Sequence, residues 1–125
     1  MARILLVEDH IEVRAVFEEI LLEAGYEVDA TSTLQGASEL LSCRDYNVLV
    51  ADGALPDGTG MMLADKASEK GIPTLIITGN AALLLGGVGL DFRKHRVLLK
   101  PVRSEQLIEA VATALRATEE GHPPL

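Results

Sequence analysis

A chain of 125 residues, 48% hydrophobic and 24% charged, is long enough for one packed core and too apolar for intrinsic disorder. Its formal net charge of -8 argues against a nucleic-acid surface, which needs clustered Lys and Arg, and fits contacts with other proteins. Cys43 is the only cysteine, no apolar run approaches the roughly 20 residues that cross a bilayer, and Met1-Ala2-Arg3 leads straight into a strand, so a cytoplasmic protein without a membrane partner is expected.

Strand and helix signals alternate along the chain. Residues 3–7 (Arg-Ile-Leu-Leu-Val) read as a first strand. Val13, Val16, Phe17, Ile20, Leu21 and Ala24 then recur at helical spacing until Gly25 stops them. Tyr26 to Ala30 is a weaker strand, nearer an edge because Glu27 and Asp29 flank Val28. Ser32-Thr33-Leu34-Gln35 has capping-box spacing and opens a helix with Leu34, Ala37, Leu40 and Leu41 on its buried side. Tyr46 to Ala51 is the central strand, a helix runs from about Gly60 to Lys70, and Ile72 to Thr78 is a fourth strand. The stretch 81–90 is apolar and then rich in glycine, so a helix there would be short and poorly held. Arg96 to Leu99 is the fifth strand, and Ser104 caps a last helix with Leu107, Ile108, Val111, Ala112 and Leu115 on one face. Residues 1–118 read as one domain and 119–125 as a tail.

Five strands alternating with five helices predict βαβ units and an α/β fold: a flavodoxin-like, doubly wound, five-stranded parallel sheet of order 2-1-3-4-5, with helices on two faces. Ligands bind such sheets at the switch point, beyond the carboxyl ends of strands 1 and 3. Glu8 and Asp9 follow the first of these strands and Asp52 follows the third, while Lys100 follows the fifth. Carboxylates gathered there repel one another unless a cation neutralises them, and hard oxygen donors suit Mg²⁺, with Mn²⁺ as the alternative ion. Taken singly, Glu8 and Asp9 read as helix-capping residues and Asp52 as the start of a turn; their joint placement favours a site.

The residues Glu8-Asp9, Asp52 with Leu55-Pro56-Asp57-Gly58-Thr59-Gly60, Thr78 and Lys100-Pro101 stand in this order at four strand ends. In this the chain resembles the receiver domain of two-component response regulators, of the stand-alone, chemotaxis-regulator-like kind, over nearly its whole length. The resemblance implies that Asp52 is the phosphoacceptor. It implies a Mg²⁺ held by Asp9, Asp52 and the main-chain carbonyl of Ala54, with Glu8 acting through a metal-bound water. Lys100 and the Thr78 hydroxyl would stabilise the phosphoryl oxygens, and a cis bond before Pro101 would aim Lys100 inward. The implied partners are a sensor histidine kinase or histidine phosphotransfer protein, and a downstream protein or second copy meeting the region 80–115.

Switching would run through Thr78, Gly79 and Asn80, but Val97 stands where the family carries an aromatic residue that turns inward. Leu83-Leu84-Leu85 would then offer an apolar patch instead, with core packing as the equal alternative. Arg93-Lys94-His95-Arg96 reads as a solvated loop before a docking contact, and His10, His95 and His122 receive no catalytic or metal role. No output domain follows the last helix of this sequence, though a fragment of a longer protein would read the same. Three rival functions are a receiver-like binding module that takes no phosphate, a Mg²⁺-dependent phosphohydrolase, and a flavodoxin-like flavin binder, whose phosphate Glu8-Asp9 would repel. The second would need an aspartate where Ala54 stands, so turnover as an enzyme is not expected.

Overall fold

A computed structural model of the chain describes residues 2–79 and 95–119. Five parallel strands make the main sheet: β1 (Arg3–Val7), β2 (Glu27–Thr31), β3 (Val48–Asp52), β6 (Thr74–Thr78) and β7 (His95–Leu99). A small antiparallel pair, β4 (Ala54–Leu55) and β5 (Gly58–Thr59), follows β3. The order β2-β1-β3-β6-β7 is the expected 2-1-3-4-5 with that pair set aside. Four helices occur among the described residues: α1 (Ile11–Glu23), α2 (Leu34–Cys43), α3 (Gly60–Glu69) and α4 (Ser104–Glu119). The fifth expected helix, the Leu83-Leu84-Leu85 patch, Asn80, Arg93 and Lys94, and residues 120–125 of the tail lie outside the described residues.

The unbroken apolar strands are explained by burial on both faces of the sheet. Because successive side chains point to opposite faces, Ile4, Leu6, Val48, Val50, Leu75 and Ile77 pack with Phe17 and Leu21 of α1 and with Leu107, Ala110 and Val111 of α4. Leu5, Val7, Leu49 and Ala51 face the other way and meet Ala37 and Leu41 of α2 and Leu63 and Ala67 of α3. Positive φ angles at Gly25 (98°) and Gly71 (74°) turn the chain just beyond α1 and α3. Glycine is the residue that adopts this geometry without steric cost.

The helix ends and faces differ from expectation in detail. Thr33, rather than Ser32, caps α2, its hydroxyl accepting the Gly36 N–H at 3.0 Å. Gln35 turns outward to Glu39 instead of closing a capping box. Ser104 is the first residue of α4; the carbonyl of Arg103 accepts the Leu107 N–H, and Gln106 reaches back to the Arg103 N–H at 2.9 Å. Val16 is 53% exposed and Ile108 37% exposed, so the apolar stripes of α1 and α4 are wider than the surfaces they cover. No helix among the described residues is long and apolar enough to cross a membrane.

Candidate functional site

The ladder of the sheet delivers each site residue to the same edge. Glu8 N–H donates to Thr31 O at 3.0 Å, which carries the β1–β2 ladder one residue past Val7. Asp52 is the last residue of β3 and lies in register with Ile77, and the next N–H, of Gly53, donates to Ile77 O. Thr78 ends β6 beside Leu99, and Lys100 N–H donates to its carbonyl at 2.8 Å. The Lys100–Pro101 peptide is cis, as the resemblance implied.

The side chains meet there. Lys100 Nζ lies 2.9 Å from Glu8 Oε1 and 3.0 Å from Asp52 Oδ2. The other Asp52 oxygen, Oδ1, accepts the Ala54 N–H at 3.1 Å. Glu8, Asp9 and Asp52 each present a carboxylate oxygen within 4.8 Å of the others. Glu8 is 2% exposed, Asp52 11% and Lys100 30%, while Asp9 sits at the rim in water. Arg14 Nη1 donates to the Glu8 carbonyl at 2.9 Å and ties α1 to this corner.

Burial first, then the hydrogen bond to Asp52, push the Glu8 carboxyl up to about 7, with Lys100 opposing. For Asp52, burial also disfavours the charge, but hydrogen bonds from Glu8, the Ala54 N–H and Lys100 outweigh it and hold its carboxyl below the usual range. Burial likewise disfavours the charge on Lys100, and its contacts with Glu8 and Asp52 override that, raising it. Glu8 Oε2 is buried and has no hydrogen-bond partner among the described residues. A buried polar atom of this kind is costly unless a water reaches it, and the neighbouring carboxylate oxygens of Glu8, Asp9 and Asp52 are hard donors that suit a small divalent cation and its waters.

Asp52 is held from behind by glycine. A Cβ on Gly60 would collide with the Asp52 carbonyl oxygen, and the Gly60 N–H donates to Gly53 O at 3.2 Å. The loop between them forms the β4–β5 pair, where the sequence pointed only to a turn beginning at Asp52. Its tip residue Asp57 was not singled out, yet its carboxylate accepts the Leu34 and Gln35 N–H groups at the start of α2. These bonds hold the Asp57 carboxyl below the usual range.

Among the remaining candidates, Thr78 is buried at the end of β6, Gly79 is exposed beyond it, and Asn80 is outside the described residues. Val97 is half-buried in β7 opposite Ile76. Pro101 is exposed and, with Lys100 and Val102, forms one wall of a groove of about 490 Å³ against His10, Val13 and Val16.

The profile of the response regulator receiver domain matches residues 4–112. The response regulator receiver protein CpdR of Brucella abortus is 32% identical over 119 residues, covering 94% of this chain and 99% of that protein. The transcriptional regulatory protein CusR of Escherichia coli is 28% identical, and this chain spans 51% of its length. Among solved structures, a response regulator receiver protein from Sinorhizobium medicae aligns with a TM-score of 0.82 at 32% identity, covering 93% of this chain and 95% of that one. A CheY-like receiver domain protein from Methanospirillum hungatei aligns with a TM-score of 0.84 at 27% identity, covering 97% of this chain and 98% of that one. With strand order, acidic corner and lysine all in place, the chain belongs to the response regulator receiver domain family.

Proposed function

We propose that this protein takes a phosphoryl group from a phosphohistidine onto Asp52, and that Mg²⁺ is needed for the transfer. The observation that carries this reading is the meeting of Lys100 Nζ with Asp52 Oδ2 and Glu8 Oε1, beside a third carboxylate at Asp9. Asp9, Asp52 and the Ala54 carbonyl would hold the ion, with Glu8 reaching it through water; bound there, it would neutralise charge on the phosphoryl oxygens.

The chain's own residues supply the rest. An Asp52 oxygen forms the new O–P bond as the P–N bond to the donor imidazole breaks, and that nitrogen leaves with the bonding pair and takes up a proton. Asp52 suits this task because, against the cost of burial, the Ala54 N–H and Lys100 favour the ionised form that attacks. Its Oδ1 is oriented by the Ala54 N–H. Lys100 would follow the charge onto the transferred group, and Thr78 would offer its hydroxyl from the neighbouring strand. The groove between α1 and the Lys100-Pro101-Val102 turn leaves room for the donor's carrier next to the lysine.

A sensor histidine kinase or histidine phosphotransfer protein is the donor in this reading. The product acyl phosphate carries about two negative charges where the carboxylate carried one, and brings three acceptor oxygens to the sheet edge. That charge would act on Thr78 and Gly79 and through them on contacts of the region 80–115 with a downstream protein or a second copy. With no carboxylate at Ala54, Asp52 serves as an acceptor and not as the nucleophile of a turnover hydrolase. We assign residues 1–118 to the receiver unit and the protein to the cytoplasm.

The test is incubation with phosphoramidate, a small P–N donor, in Mg²⁺, followed by intact mass. Gain of one phosphoryl group, lost on chelation and in Asp52→Asn, is expected. Labelling that survives chelation would reject the proposal.

A further inference from the structure

The Pro56-Asp57 turn joins β4 to β5 and touches α2 at two points. Asp57 Oδ1 accepts the Leu34 N–H at 2.7 Å, and Oδ2 accepts the Gln35 N–H at 3.0 Å. Gly58, next in the chain, lies so close to α2 that a Cβ there would stand 2.7 Å from Leu34 Cδ2. The first N–H groups of any α-helix lack acceptors within the helix. In α2 Thr33 satisfies one of them locally, whereas Leu34 and Gln35 are satisfied by a residue 23 and 22 positions further along. Both long-range bonds are exposed, so water would replace Asp57 as an acceptor. Water would not tie the hairpin to the helix.

The other end of the same hairpin is the acceptor site. Ala54 pairs with Thr59 across it and donates its N–H to Asp52 Oδ1. A main-chain carbonyl has no rotamer with which to find a metal, so its position is set wholly by what anchors the backbone on either side. On one side the anchor is the Gly60–Gly53 bond beneath Asp52. On the other it is the tip at Asp57.

Given the metal assignment above, we propose that Asp57 is a positioning residue for Mg²⁺, clamping the hairpin to α2 so that the Ala54 carbonyl stays in place as a ligand. Its carboxylate does not touch the ion. It acts through the backbone that it holds.

Mg²⁺ titrations of the full chain, followed by amide chemical shifts, separate this from two simpler roles. Asp57→Ala weakens Mg²⁺ binding by about threefold to tenfold, below the roughly 10–100-fold of a lost outer-shell partner. Asp57→Asn removes the charge but keeps an oxygen that accepts one N–H, and it retains most of the affinity. Thr33→Ala strips a different cap from the same helix and leaves Mg²⁺ binding unchanged. In metal-free protein, amide exchange at Ala54 speeds up in Asp57→Ala and not in Thr33→Ala.

Wild-type affinity in Asp57→Ala would overturn the proposal. Equal losses in the Asn and Ala variants would assign the effect to charge, and equal losses in Thr33→Ala and Asp57→Ala would assign it to helix capping; either overturns it too. A wild type with no Mg²⁺-dependent shifts would instead overturn the metal assignment, and this role with it.

Discussion

Lys100→Met keeps most of the unbranched side chain and deletes its charge. Without divalent cations, the ammonium is what separates two carboxylates, at 2.9 Å from Glu8 and 3.0 Å from Asp52. At about 3 Å and an effective dielectric of about 20, each contact is worth about 5–6 kcal/mol before desolvation. Taking the three groups out of water cancels most of that, and the partial exposure of Lys100 screens more, leaving a net loss of about 1–3 kcal/mol at pH 8.

The loss depends on pH with a definite sign. The Glu8 carboxyl already stands at about 7 through burial and its bond to Asp52, and losing Lys100 removes a contact that lowers it. A folded-state value above the unfolded one means the folded protein binds more protons, so stability falls as pH rises towards and through that value. The deficit of the variant should therefore narrow near pH 5 and widen towards pH 8. Adding Mg²⁺ should recover it, because a ligand of the folded state stabilises by mass action and no longer competes with an ammonium. Urea midpoints at both pH values, with chelator or with Mg²⁺, measure all of this. A variant as stable as wild type at pH 8 in chelator, or a deficit independent of pH, would refute the electrostatic reasoning.

Three further outcomes are expected. Gly60→Ala places a methyl group against the Asp52 carbonyl, where only backbone can give way; it should lower the urea midpoint by the equivalent of about 1–3 kcal/mol and slow phosphoryl uptake. Tyr46→Phe removes the 2.7 Å bond from the phenol to Asp29, which keeps Arg44 at 3.1 Å, and should cost about 1–2 kcal/mol at pH 7. Burial, then Asp29, raise the phenol's pKa, so its contribution is complete below the unfolded value and fades as pH climbs past about 10; the gap to the Phe variant should close in alkaline denaturation series. For Asp57 the sign is opposite: its carboxyl is depressed by the Leu34 and Gln35 N–H groups, so its contribution is present above the unfolded value and lost as pH falls through the folded one. Wild type and Asp57→Asn should therefore differ in urea midpoint at pH 6 and converge in acid.

What the sequence made legible follows from the parallel sheet. Strands buried on both faces need unbroken apolar runs, so Val7, Ala51 and Leu99 could each be followed into the charged residues that surface at the carboxyl edge. The same logic put Glu8, Asp9, Asp52 and Lys100 in one place before any coordinates. Caps were legible only to within a residue, because Ser32 and Thr33 can both accept from the first turn of α2 and only the backbone direction decides between them. Helical periodicity found the inward faces of α1 and α4 but not their width, so Val16 and Ile108 were placed inside. Asp57 stood in the quoted Leu55–Gly60 motif, but its bond to α2 gave no local signal, since its partners lie 22 and 23 residues away and only folding brings them together.

The central claim is that the Asp52 carboxylate itself becomes the acyl phosphate. Borohydride reduces an aspartyl phosphate to homoserine and leaves free carboxylates untouched, so peptide mass mapping after phosphorylation and reduction reads the acceptor directly. Homoserine at position 52, formed only when Mg²⁺ is present, is the predicted result. Homoserine at another aspartate, or a phosphoryl group that survives on a histidine or serine, would contradict it.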